Sequence, residues 1–111
     1  MIDKERRKQY IVRVDWPAVV WGHNGAFSVK LRNISASGAC VTADTMLKRS
    51  EKFSLYVAPD NHRPFRADSQ VVWLRVDCSQ HTSPLCTMGI RFTKVSVVDL
   101  QSLESAISNR L

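Results

Sequence analysis

The chain has 111 residues, of which 44% are hydrophobic, with 16 Lys or Arg against 10 Asp or Glu and a net charge of +6. This length fits a single domain, and the apolar share is enough to bury a core, which excludes a disordered peptide. No run reaches the ~18 apolar residues of a membrane span, and Lys4 to Gln9 is too polar for a signal-peptide core, so the expected location is cytoplasmic. The basic excess favours anionic partners: nucleotides, nucleic acid, acidic protein faces or lipid head groups.

The chain opens on a basic run, Lys4-Glu5-Arg6-Arg7-Lys8. It reads as an N-terminal arm over residues 1–11, ahead of a barrel and helix over 12–111. From Val12 to Trp21 the sequence is β-branched and aromatic; Pro17 within it marks an edge or a bulge, because proline donates nothing to a ladder. Gly22-His23-Asn24-Gly25 reads as a hairpin turn. Phe27, Val29 and Leu31 then alternate with Ser28, Lys30 and Arg32, a period of two. The polar turn Asn33-Ile34-Ser35-Ala36-Ser37-Gly38 follows, after which Ala39, Val41 and Ala43 resume the alternation. Thr45 to Lys52 reads as a short helical turn or an irregular crossing. Phe53, Leu55 and Val57 form a strand, and Pro59 to Pro64 a turn. From Phe65 to Val76, Ala67, Ser69, Val71 and Trp73 share a face, which assigns Trp73 to the core. Cys78 to Pro84 is a polar loop. Cys86, Met88, Ile90 and Phe92 alternate with Thr87, Gly89, Arg91 and Thr93. Ser96, with Asp99 three residues on, caps a helix whose Leu100, Leu103 and Ile107 form one apolar stripe. About six short strands and one late helix predict an all-β dominated fold, an antiparallel barrel rather than a parallel α/β sheet.

Cys40, Cys78 and Cys86 cannot all pair within one chain and form no C-x-x-C, so they read as free thiols, Cys40 and Cys86 as core packing. His23, His62 and His81 are scattered, and no metal site is expected. There is no G-x-S-x-G elbow, P-loop or H-E-x-x-H, so no catalytic residue and no enzyme are expected. Two segments carry binding chemistry. In Asn33-x-Ser35-x-x-Gly38, the side chains bond nearby backbone and the glycine tolerates positive φ, which by itself makes a bare polar turn. The same groups suit a nucleobase edge or a phosphate, with Gly38 letting the backbone come close. The guanidinium forks of Arg6 and Arg7 match phosphate oxygens and stack on bases, although most such charged termini are simply solvated. Arg32, Arg66, Arg75 and Arg91 read as surface charges, one of which could line a groove.

In this order and spacing, the segments resemble the PilZ domain family over nearly the whole chain. The family pattern is R-x-x-x-R before the first strand and [D/N]-x-S-x-x-G after the second; Asn33, Ser35 and Gly38 fit the second motif fully. Val71-Val72-Trp73, Met88 to Thr93 and Val98 to Glu104 resemble its late strands and terminal helix. The resemblance implies a six-stranded antiparallel β-barrel with a C-terminal α-helix that binds cyclic di-GMP. It implies ligand contacts from Arg6, Arg7, Arg13, Asn33, Ser35 and Gly38, no cofactor beyond that ligand, and a downstream protein partner. Such signalling in bacteria governs motility, biofilm or exopolysaccharide output. The arginine motif departs from the pattern. With Arg7 in the first position the second falls on Ile11; with Arg13 in the second position the first falls on Gln9. Arg6, Arg7 and Arg13 are therefore taken as a pool. The alternative is a degenerate PilZ-like adaptor acting through protein contacts without nucleotide. A general nucleic-acid-binding barrel is disfavoured, because no basic stripe is interleaved with exposed aromatics.

Overall fold

The computed structural model describes residues 10–77 and 85–111. The basic run with Arg6 and Arg7, and the loop from Cys78 to Pro84, lie outside these residues. Six antiparallel strands, β1 (Val12–Gly22), β2 (Gly25–Ile34), β3 (Gly38–Ala43), β4 (Lys52–Val57), β5 (Phe65–Asp77) and β6 (Leu85–Lys94), precede helix α1 (Val97–Ser108). They close into a barrel in the order β1-β2-β3-β6-β5-β4, with β4 pairing back onto β1. This is the predicted fold class.

Period-two patterning drives the closure. Along β1, Val12, Val14, Trp16, Ala18 and Val20 are buried while the residues between them are exposed. Leu31, Val41, Leu55, Val57, Val71 and Met88 fill the interior from the other strands, as expected of a barrel just wide enough for its own side chains. β1 is paired on both sides, so the edge alternative for Pro17 falls. Its carbonyl accepts the Ala58 N–H at 3.1 Å, and the β1–β4 ladder ends at Ala18 opposite Val57. The missing proline donor thus falls where that ladder has stopped, one residue past a register shift between Arg13 and Trp16.

The β1–β2 turn has two residues, His23 and Asn24, and Gly25 follows at φ +119°, a conformation L side chains rarely adopt. Between β3 and β4 the chain takes the irregular crossing rather than a helical turn, anchored by buried Leu47. The α1 cap forms as predicted. Ser96 Oγ accepts the Asp99 N–H at 3.1 Å and donates to the Asp99 carboxylate at 2.8 Å. Asp99 also accepts the Arg66 N–H at 3.2 Å, which ties the helix start to β5. Leu103, Ala106 and Ile107 are buried and Leu100 packs against the core. Ser96→Ala is expected to lower stability by about 1 kcal/mol in urea denaturation, with an unchanged m value. Among the described residues, no helix is long and apolar enough to cross a membrane.

Candidate functional site

Two of the places where the strand register shifts border one groove. On β2, Leu31 pairs with Val41 but Asn33 pairs with Cys40. The extra residue leaves both Arg32 and Asn33 off the core side, while Ile34 returns to full burial. A bulge of this kind re-aims a side chain. Arg32 bonds Asp15 at 3.2 Å and Thr42 Oγ1 at 3.0 Å, and half-buried Asn33 faces the groove.

On β5, Val71 pairs with Ile90 and Trp73 with Gly89. Val72 and Trp73 are therefore both on the outside, 50% and 42% exposed, and Leu74 packs against the core in Trp73's stead. This corrects the assignment of Trp73 to the core. Its indole lies over Gly89, where a Cβ would run into the ring. Three consecutive apolar residues, Val71-Val72-Trp73, were the available sequence signal: strict alternation cannot bury all of them.

Between the bulges, β3 and β6 form the floor of a groove of about 460 Å³. Asn33, Ser35 and Gly38 line it with Trp73 and Arg91, and so does Ile11, which is 70% exposed. Arg13 is paired opposite Asn33 across β1 and β2 and is exposed, beside the groove rather than in its lining. Its carbonyl accepts a bond from Arg110 Nη2 at 3.3 Å. The structure thus brings Asn33, Ser35 and Gly38 together and sets Arg13 alongside; Arg6 and Arg7 lie outside the described residues.

Within the turn, the Ser35 N–H donates to the Gly38 carbonyl at 2.9 Å and the Ser37 N–H donates to Ser35 Oγ at 3.3 Å. The Phe92 N–H donates to the Ser37 carbonyl at 2.9 Å, stitching the turn to β6. Buried Ser35 is therefore an organiser of the turn. Gly38 does not adopt positive φ: among the described glycines only Gly25 does. Glycine is needed at position 38 because a Cβ there would meet the Ile90 carbonyl oxygen of β6.

Arg91, read from the sequence as one of several surface charges, sits opposite both Gly38 and Gln70. Its Nη2 donates to Gln70 Oε1 at 2.6 Å, and Gln70 Nε2 donates to the Ser50 carbonyl at 3.0 Å. No carboxylate among the described residues lines the groove. Cys40 lies half-buried in the groove rather than in the core, whereas Cys86 is buried as expected. Burial pushes the Cys40 thiol up, with Arg75 and Arg32 partly opposing, so it stays protonated and weakly nucleophilic at neutral pH. No group of His, Cys, Asp or Glu among the described residues could hold a metal ion.

The site has a polar turn, an exposed indole and a guanidinium around a cavity with no acidic group among its described lining residues, an arrangement suited to an anion with flat rings. A comparison with curated proteins gives no match. Among solved structures, the fold is similar to the PilZ domain with c-di-GMP of YcgR from Escherichia coli. The TM-score is 0.76 at 15% sequence identity, covering 95% of this chain and 91% of that one. It is similar to K. pneumonia MrkH in its apo state, with TM-score 0.79 and 14% identity over 99% of this chain and 52% of that one. The Bacillus subtilis inhibitor of motility MotI/DgrA gives TM-score 0.70 and 16% identity over 98% of this chain and 56% of that one. The chain spans about half the length of MrkH and of MotI/DgrA. Identities this low speak for fold alone, but a family model described as the PilZ domain matches residues 4–109, and the chain belongs to the PilZ domain family.

Proposed function

We propose that this chain is a cyclic di-GMP receptor whose ligand binds in the groove between the β2 and β5 bulges. The observation that carries the reading is the meeting of Asn33, Ser35, Trp73 and Arg91 around one cavity with no carboxylate in its described lining. A cyclic dinucleotide offers anionic phosphodiesters and two planar guanines. Asn33 is assigned a guanine edge, the Trp73 indole a stacking face, and the guanidinium groups the phosphates. Arg6 and Arg7 close over the ligand from the arm, with Arg13 contributing from beside Asn33. Ser35 and Gly38 shape the turn that presents Asn33. Ligand binding changes the surface offered to a downstream protein, which is how the signal is passed on. On this reading the chain is a cytoplasmic binding module and performs no catalysis.

A second reading, a PilZ-like adaptor without nucleotide, has its own support. Ser35 and Gly38 are both accounted for by the turn and by β3–β6 packing, and apolar Ile11 lines the groove. Isothermal titration of the full chain with cyclic di-GMP at near-physiological salt separates the two. The receptor predicts a Kd of about micromolar or tighter, weakened about tenfold or more in Asn33→Ala. Absence of heat, with no rise in melting temperature at millimolar ligand, overturns the receptor and leaves the adaptor.

A further inference from the structure

The barrel treats its strand arginines unequally. Arg32 is paired with Asp15 at 3.2 Å, Arg66 with Asp68 at 3.1 Å and Arg75 with Asp77 at 3.4 Å. Arg91, in the groove, meets no carboxylate among the described residues and donates instead to the neutral amide oxygen of Gln70 at 2.6 Å. Among the described residues, three of the five strand arginines are thus held by groups that cancel their charge; of the other two, Arg13 lies beside the groove, and Arg91 lines it with its charge intact.

The brace is itself oriented. Gln70 Nε2 donates to the Ser50 carbonyl, so flipping the amide would lose that bond and turn a donor toward the guanidinium. Ser50 is at φ 69° and its N–H donates to the Val71 carbonyl at 3.0 Å, which fixes this acceptor against β5. Arg91 is exposed on the β6 strand, and Gly38 opposite it has no side chain to obstruct the approach of a ligand. A guanidinium pre-oriented this way loses little freedom on meeting an anion, which is the condition for a strong contact.

We propose that Arg91 is a phosphate-anchoring residue of the groove and that Gln70 is its positioning residue, a neutral brace that holds the fork without neutralising it. This rests on the receptor reading and names a cation in the groove lining for a dinucleotide phosphate, separate from Arg13 and from the arginines of the arm. Gln70→Glu is the discriminating variant. A carboxylate there pairs with Arg91 and cancels the charge the ligand needs, while giving up the donor to the Ser50 carbonyl, which lowers the melting temperature modestly.

The test is titration of the full chain with cyclic di-GMP for wild type, Arg91→Ala, Arg91→Lys and Gln70→Glu, with melting temperatures alongside. The expected losses of affinity are about tenfold or more for Arg91→Ala and for Gln70→Glu, the latter with cooperative melting retained. Arg91→Lys retains part of the affinity, and the Kd of Arg91→Ala rises less steeply with salt than that of wild type. If wild type binds and both Arg91→Ala and Gln70→Glu stay within about twofold of it, well inside a single charge-assisted bond, the assignment is overturned and the receptor stands. If wild type fails to bind, both are overturned.

Discussion

Gly38→Ala is expected to lower the unfolding free energy by about 3 kcal/mol. The added Cβ would enter the Ile90 carbonyl oxygen, a backbone atom that no rotamer change can move aside. Nearby bonds resist a shift: Gly38 pairs with Arg91, and the Phe92 N–H is held by the Ser37 carbonyl at 2.9 Å. Relief requires β3 and β6 to part, and both belong to a closed wall. Urea denaturation measures the loss, with Gly25→Ala as the comparison. Gly25 is at φ +119° with open space around it, so its substitution strains the backbone without a clash and costs about 1 kcal/mol. A Gly38→Ala loss no greater than that of Gly25→Ala would show that the β3–β6 approach tolerates a methyl group. The result also bears on the motif: loss of ligand binding in a Gly38 variant reports on barrel construction before it reports on ligand contact.

On the receptor reading, Ile11→Arg is expected to tighten cyclic di-GMP binding about tenfold or more, since one charge-assisted bond from a fork contributes ~1.5–3 kcal/mol. Ile11 lines the groove with Asn33 and is largely exposed, so the change costs the fold little. The same titration decides between the two alignments of the arginine motif. If Arg7 and position 11 form the pair, Ile11→Arg gains affinity and Gln9→Arg does not. If Arg13 holds the second position, the pattern reverses. Arg13 faces outward opposite Asn33 but outside the groove lining, which favours position 11.

Most of the barrel was legible in the sequence because its strands carry a clean alternation. Val12 to Val20, Phe53 to Val57 and the Ser96 cap all fold as their patterns predict. The errors fall at the bulges. Trp73 turns outward because Gly89 on β6 leaves room for its indole, and that room is a property of a strand some fifteen residues away. Gly38 was assigned by its turn, yet its constraint comes from Ile90 across the ladder. Arg91 was partly legible. Arg66-x-Asp68 and Arg75-x-Asp77 are same-face pairs along a strand, readable from the sequence, whereas Arg91 has Gly89 and Thr93 at those offsets. Its brace, Gln70, became visible only with the β5–β6 register. Asn33, Ser35 and Gly38 were found as a motif; what their turn does for itself required the hydrogen bonds.

The closed order β1-β2-β3-β6-β5-β4 gives every strand a neighbour on each side. A partner therefore cannot be recruited by adding an extended segment to a sheet edge, the route that many peptide-recognition modules use. Recognition has to be written in side chains on the outer faces, in the connections between strands, or in the segments flanking the barrel. Backbone pairing is indifferent to sequence, whereas a side-chain surface is not. A barrel of this kind can keep one ligand chemistry in its groove while its outer residues change from one partner to another.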